Sequence, residues 1–124
     1  MTEELQNQEK TQEKNKKKIF PGGPTKEQLE NWKAEYNDKI FMSEFGDKAF
    51  IWRPLTRFEY KSILKLQNAD ALFREERICE TCILWPQNYN YDDMAEGEAG
   101  IPSLMAEQIM DASGFSSSGA AKKL

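Results

Sequence analysis

Histidine is absent from this sequence of 124 residues. That removes the commonest general base near neutral pH and any Ser-His or Cys-His nucleophile pair. Only two cysteines are present, whereas a structural zinc site needs about four nitrogen or sulfur ligands. One chain therefore supplies no standard zinc site. No apolar run approaches the roughly 20 residues that span a bilayer. The start lacks the apolar stretch of a secretory signal. Two cysteines without an export signal point to a reducing compartment, the cytoplasm. Glycines never gather into a phosphate loop, and the pair Asp92-Asp93 lies in a polar stretch with nothing evident to raise a carboxyl pKa. No catalytic residue, cofactor or metal is expected.

Basic residues are missing from a whole third of the chain. Between Ile78 and Ala121 there is no Lys or Arg, while Glu80, Asp92, Asp93, Glu96, Glu98, Glu107 and Asp111 are acidic. The overall charge of −4 hides this segregation. Residues 19–115 hold ten basic and seventeen acidic groups, a balance of −7, whereas residues 48–77 hold seven basic and four acidic ones. An uncompensated acidic third repels phosphates, so it argues against a nucleic-acid surface; it suits a basic protein partner, the alternative being a solvated surface that keeps the protein soluble.

Apolar residues are scarce at both ends. Residues 1–18 contain one aliphatic residue, Leu5, besides Met1. Such a stretch buries too little to offset an ordering cost of roughly 1–2 kcal/mol per residue. It reads as a disordered charged arm, whose Lys14–Lys18 cluster is expected to be a solvated extension, the alternative being contact with nucleic acid or an acidic protein surface. Residues 116–124 have the composition of a flexible tail. The expected organisation is a disordered arm over 1–18, one α+β domain over 19–115, and a tail over 116–124.

Within the domain the punctuation is clear. Pro21-Gly22-Gly23-Pro24 is a breaker. Thr25 to Gln28 and Thr56 to Glu59 are capping boxes, each starting a helix. The first runs to about Tyr36, with Leu29, Trp32 and Tyr36 on one face. Two aromatic-rich runs, Ile40–Phe45 and Lys48–Arg53, flank Gly46-Asp47, a hairpin with a type II′ turn. Pro54 closes the second strand. In the second helix Phe58, Ile63 and Leu66 are expected to face inward. Asp70 caps a third helix over 71–84, with Leu72, Phe73, Ile78, Cys79, Cys82 and Ile83 inward, and Trp85-Pro86 stops it. A polar loop follows from Gln87 to Asp93. Pro102 opens a last helix with the stripe Leu104, Met105, Ile109 and Ala112. Gly114 fits a left-handed end, with Phe115 folded back on the last turn. The sum is an α+β fold, mostly helical, with about four helices and one β-hairpin.

Two patterns suggest ligands and fail on inspection. Cys79-Glu80-Thr81-Cys82 is a C-x-x-C, but it lies deep in a predicted helix among apolar neighbours. A redox pair needs its first thiol at a helix N-terminus. Asn88, Asn90 and Asp92 match the first ligands of a calcium loop. The glycine and glutamate such a loop needs are replaced by Asp93 and Ala99.

The segment Phe50-Ile51-Trp52-Arg53-Pro54-Leu55-Thr56-Arg57-Phe58-Glu59-Tyr60 is a strand, a proline stop and a capped helix. Ile78 to Pro86, Gly100 to Leu104 and Ile109 to Phe115 follow in order. Over about residues 40–115 this succession resembles small tail and baseplate assembly proteins, of the tail assembly chaperone kind, from contractile-tailed bacteriophages. The resemblance implies a non-enzymatic assembly factor or minor virion protein, made in the host cytoplasm. It carries over no catalytic residue. The alternative is a small regulatory adaptor that binds a host protein.

The expected partner surface is the acidic segment from Tyr89 to Phe115. Tyr89 and Tyr91 sit in a polar loop, where rings are hard to bury. Asp92, Asp93, Glu96 and Glu98 steer a basic partner. Leu104, Met105 and Phe115 add apolar contact, and methionine adapts to irregular surfaces.

Overall fold

The structure is a computed structural model, and it describes residues 16–115 and 121–124. Of the disordered arm expected over 1–18 and the flexible tail expected over 116–124, residues 1–15 and 116–120 lie outside the described residues, whereas Lys17 and Lys18 are hydrogen-bonded or bridged to the start of the first helix. The chain divides into two compact units, Met1–Ile40 and Phe41–Leu124.

In the first unit, Lys17 to Lys26 closes a clip. The Lys26 N–H donates to the Lys17 carbonyl at 2.9 Å, and the Ile19 N–H to the Pro24 carbonyl at 3.0 Å. Gly23 is required here: a Cβ would stand 2.4 Å from the Phe20 ring. Helix α1 (Lys26–Glu35) follows, capped as its sequence predicts. The Gln28 N–H donates to Thr25 Oγ1 at 3.1 Å, and the Thr25 N–H donates to Gln28 Oε1 at 2.8 Å. Asn37 and Asp38 end it at φ 54° and 62°, a region that short polar side chains tolerate.

The second unit begins with strands β1 (Phe41–Phe45) and β2 (Lys48–Trp52), paired antiparallel from Phe41 opposite Trp52 to Phe45 opposite Lys48. Gly46 has φ 65° and Asp47 has no positive φ, the type II′ pattern. The hairpin gains a third strand that the sequence reading missed. Helix α3 (Ala71–Cys82) stops two residues early, and β3 (Ile83–Trp85) pairs with the end of β2. Trp85 precedes a proline, which disfavours the helical region there. Ile83 at φ −72°, ψ 123° already turns the chain into the sheet. The sheet order is β1-β2-β3.

Helix α2 (Arg57–Leu64) opens with the second capping box, in which the Glu59 N–H donates to Thr56 Oγ1 at 3.2 Å. Arg53 fixes this helix to the sheet. Its guanidinium donates to both oxygens of Glu59, at 2.5 and 2.7 Å, and to the Thr81 carbonyl at 3.0 Å. Burial opposes the Glu59 charge, but the Arg53 hydrogen bond, the Thr56 bonds and the Arg53 charge outweigh it. The carboxyl pKa consequently lies below its ordinary value.

A short helix, α4 (Tyr91–Glu96), replaces part of the expected polar loop, so the described residues hold five α-helices rather than about four. Helix α5 (Ile101–Met110) packs along α3 and runs into a π-turn over Asp111–Phe115. The fold is α+β, as expected, with a three-stranded antiparallel sheet.

The core joins the inward side of the sheet to α3 and α5: Phe50 and Trp52 meet Ile78, Cys79, Cys82, Met105 and Ile109. Ser43, the buried polar residue on β1, accepts from Trp52 Nε1 at 2.8 Å and donates to Gln108 Oε1. Cys79 and Cys82 are wholly buried, and burial foremost pushes both thiols up to about 12.

Several faces differ from expectation. Phe58 is 80% exposed, Leu72 64%, and Phe73 is also exposed. The reason is helix rotation. Phe58 precedes the buried Ile63 by five residues, which is about 140° around an α-helix, and Phe73 precedes Ile78 by the same step. Leu104 likewise points outward, because Ile101, Met105 and Ile109 take the inward face of α5, and Ala112 is exposed because α5 ends at Met110 and Ala112 falls in the π-turn beyond it. Gly114 has the expected positive φ, 95°. Phe115, however, packs on Tyr60 of α2, ring centroids 4.7 Å apart, instead of folding back on its own helix.

Candidate functional site

The loop Pro86–Asn90 and α4 owe their shape to local hydrogen bonds. Asn88 turns the chain at φ 60°. Asn90 then caps α4: its Oδ1 accepts from the Asp92 N–H at 2.9 Å and the Asp93 N–H at 3.3 Å. Asp93 returns the bond, accepting from the Asn90 N–H at 3.0 Å. The residues that mimic a calcium loop thus act as a turn and a helix cap. The described residues contain no group of three or more side chains placed to hold a metal.

Capping α4 in this way sets it beside the start of β2 and leaves a cleft of about 340 Å³. Its floor is apolar: Phe50, Met94 and Ile101 are all buried core residues. Tyr89 forms a wall, edge-on to Phe50 with centroids 5.4 Å apart and planes at 73°. That contact is the favoured geometry for two rings. Burial first, then the electrostatic effect of neighbouring Cys79 and Asp93, raises the Tyr89 phenol to about 12. Asp93, Glu98 and Lys48 bring charge to the exposed part of the lining. A Cβ at Gly97 would stand 3.2 Å from the Asp93 carbonyl oxygen and 3.9 Å from Lys48 Nζ. A side chain there would narrow the mouth.

Of the residues expected on the partner surface, Tyr89, Asp93 and Glu98 converge on this cleft. Tyr91, Asp92 and Glu96 lie exposed on α4, outside the lining. Leu104 is exposed on α5. Met105 is a correction: it is 0% exposed and belongs to the core, because the inward face of α5 passes through it. Phe115 is partly exposed but lies against Tyr60, apart from the cleft lining. Lys48, Phe50, Met94 and Ile101 were not foreseen as lining. The sequence signal for them is faint, since they come from three separate elements. Also unforeseen is a second groove, about 260 Å³, between α2 and α3, lined by Phe58, Ser62, Leu66 and Arg77 among others.

An apolar floor with carboxylates above it accepts a side chain that is apolar at its tip or along its stem and has cations nearby. It offers no nucleophile with a partnered base. Among the described residues no helix is long and apolar enough to cross a membrane. Comparison with known proteins finds no matching family model, no matching curated protein and no matching solved structure.

Proposed function

We propose that this chain is a non-enzymatic protein-binding protein, an assembly factor or minor component of a bacteriophage tail or baseplate, and that it grips a basic partner through the cleft beside α4. The binding part of this reading is supported by one observation above others. Three of the acidic-segment residues, Tyr89, Asp93 and Glu98, meet over an apolar floor of about 340 Å³ instead of dispersing over the surface. Apolar pockets with a few placed polar groups are the usual form of a binding site. The assembly part rests on the resemblance of the segments from Phe50 to Phe115 to tail and baseplate assembly proteins.

Two measurements test the two parts. A short peptide of alternating Lys and Phe, titrated into isotopically labelled protein, should shift the amide signals of Ala49, Tyr89, Met94 and Gly97, with binding that weakens as salt rises. Triple reversal of Asp92→Lys, Asp93→Lys and Glu96→Lys should slow association and flatten its salt dependence. Absence of any cleft shift at millimolar peptide refutes the binding site. For the second part, the gene should lie among tail genes and the protein should co-purify with tail or baseplate components from infected cells. Recovery with a host regulator instead would favour the adaptor reading.

A further inference from the structure

The cleft is one half of a possible contact, and the same unit carries a surface that complements it. Helix α2 presents Phe58, 80% exposed, in its first turn. Phe58 is flanked by cations: Arg57 precedes it, and Lys61 and Lys65 follow at intervals of four, all exposed. Residues spaced by four share one side of a helix, so the three form a stripe beside the ring. The acidic residue of this helix does not cancel them. Both carboxylate oxygens of Glu59 are already engaged by Arg53. The helix start is also held firmly, by the Thr56–Glu59 capping box on one side and the Arg53 bond to the Thr81 carbonyl on the other. An aromatic ring on a rigid turn inside a basic stripe is therefore matched, in shape class and in charge, to an apolar cleft beside Asp92, Asp93, Glu96 and Glu98.

Resting on the reading of the cleft as a protein-binding site, we infer that its occupant is a second copy of this chain, which inserts Phe58 of α2 while Arg57, Lys61 and Lys65 face the three carboxylates of α4 and Glu98 just beyond it. Ring and cleft share no residue. Each copy therefore keeps a free ring after filling its cleft, or a free cleft after placing its ring. The contact is head-to-tail, and such contacts propagate into rings when the rotation closes and into filaments when it does not. A buried aromatic anchor supplies the affinity, and the opposed charges supply orientation and rate. Lys48 at the cleft opposes the incoming cations, so the match depends on the four carboxylates outnumbering it.

The test uses the full chain in sedimentation velocity from about 1 to about 300 µM, a span that covers micromolar dissociation constants. The wild-type chain should associate with concentration, and less so as salt rises and screens the facing charges. Phe58→Ala, a change at an exposed site that the core does not use, should weaken association about tenfold or more, as loss of an anchor does. Two versions of a blocked cleft should do the same: Ala49→Trp, which fills it, and the pair Glu96→Lys with Glu98→Lys, which reverses charge at exposed positions and spares the packing. The decisive sample mixes Phe58→Ala with a blocked-cleft variant. Each is defective alone, yet together they retain one intact ring and one intact cleft, so they should form heterodimers and nothing larger. A wild-type chain that stays monomeric at low salt, a Phe58→Ala chain that associates like wild type, or a mixture that stays monomeric would each overturn the inference. The Lys-Phe peptide separates this failure from that of the binding site. Peptide bound in the cleft of a monomeric chain refutes self-docking alone. A chain that neither binds peptide nor associates refutes both.

Discussion

Replacing Arg53 by Met should remove the clamp that holds the end of β2, the start of α2 and the end of α3 together. The guanidinium makes two bonds to Glu59 and one to the Thr81 carbonyl, and its side chain is only 12% exposed. Hydrogen bonds to charged groups contribute roughly 1.5–3 kcal/mol each, and removing one partner of a fully buried pair costs about 3–5 kcal/mol. Glu59 keeps 24% exposure, so water recovers part of its solvation once Arg53 is gone. Met also fills much of the space of the lost stem. The expected loss is therefore about 2 kcal/mol, below the fully buried range. Chemical denaturation near neutral pH reads it as a lower midpoint at unchanged slope. Glu59→Gln keeps an acceptor for the Thr56 cap and loses the charge. In the Arg53→Met background it should cost less than in the wild type, because the two residues share one interaction. The pH dependence gives a separate check. The Glu59 pKa is lowered on folding, so its contribution is present above the ordinary value of 4.5 and is lost as pH falls through the lowered folded value. The acid-induced loss of stability should accordingly shrink in Glu59→Gln. A cost under about 0.5 kcal/mol for Arg53→Met, the size of an ordinary surface change, would refute the clamp, as would strict additivity of the pair.

Two further outcomes follow from burial. Met105→Ala should destabilise by about 2–5 kcal/mol and Leu104→Ala, one residue away, by a fraction of that, read as the difference in unfolding midpoints; equal costs would contradict the orientation of α5. Cys79→Ala and Cys82→Ala should each cost on the order of 1–2 kcal/mol while leaving peptide binding intact. With both thiols raised to about 12, alkylation in the folded chain near neutral pH should be slow and should accelerate only on unfolding; rapid labelling of the native protein would show the thiols to be accessible.

The sequence by itself determined the features that depend on neighbours three or four residues apart. The two Thr capping boxes, the Gly46-Asp47 turn, the Asp70 cap and the positive φ at Gly114 are all legible because each is a bond or a steric preference within one turn of chain. Burial of Cys79 and Cys82 was legible too, since their spacing and apolar neighbours admit one inward face. The tertiary structure decided which way each helix is rolled and which distant segments meet. Phe58, Phe73 and Leu104 are as apolar as the residues that replaced them inside, and only the long-range anchors, such as Arg53 on Glu59 and Met105 in the core, select the face. The third strand arises because the chain at Ile83 gains a partner in Trp52, which no local pattern encodes. The cleft is the extreme case. Its floor and walls come from β2, the loop at Tyr89, α4 and the start of α5, and their convergence is a property of packing between elements far apart in the chain.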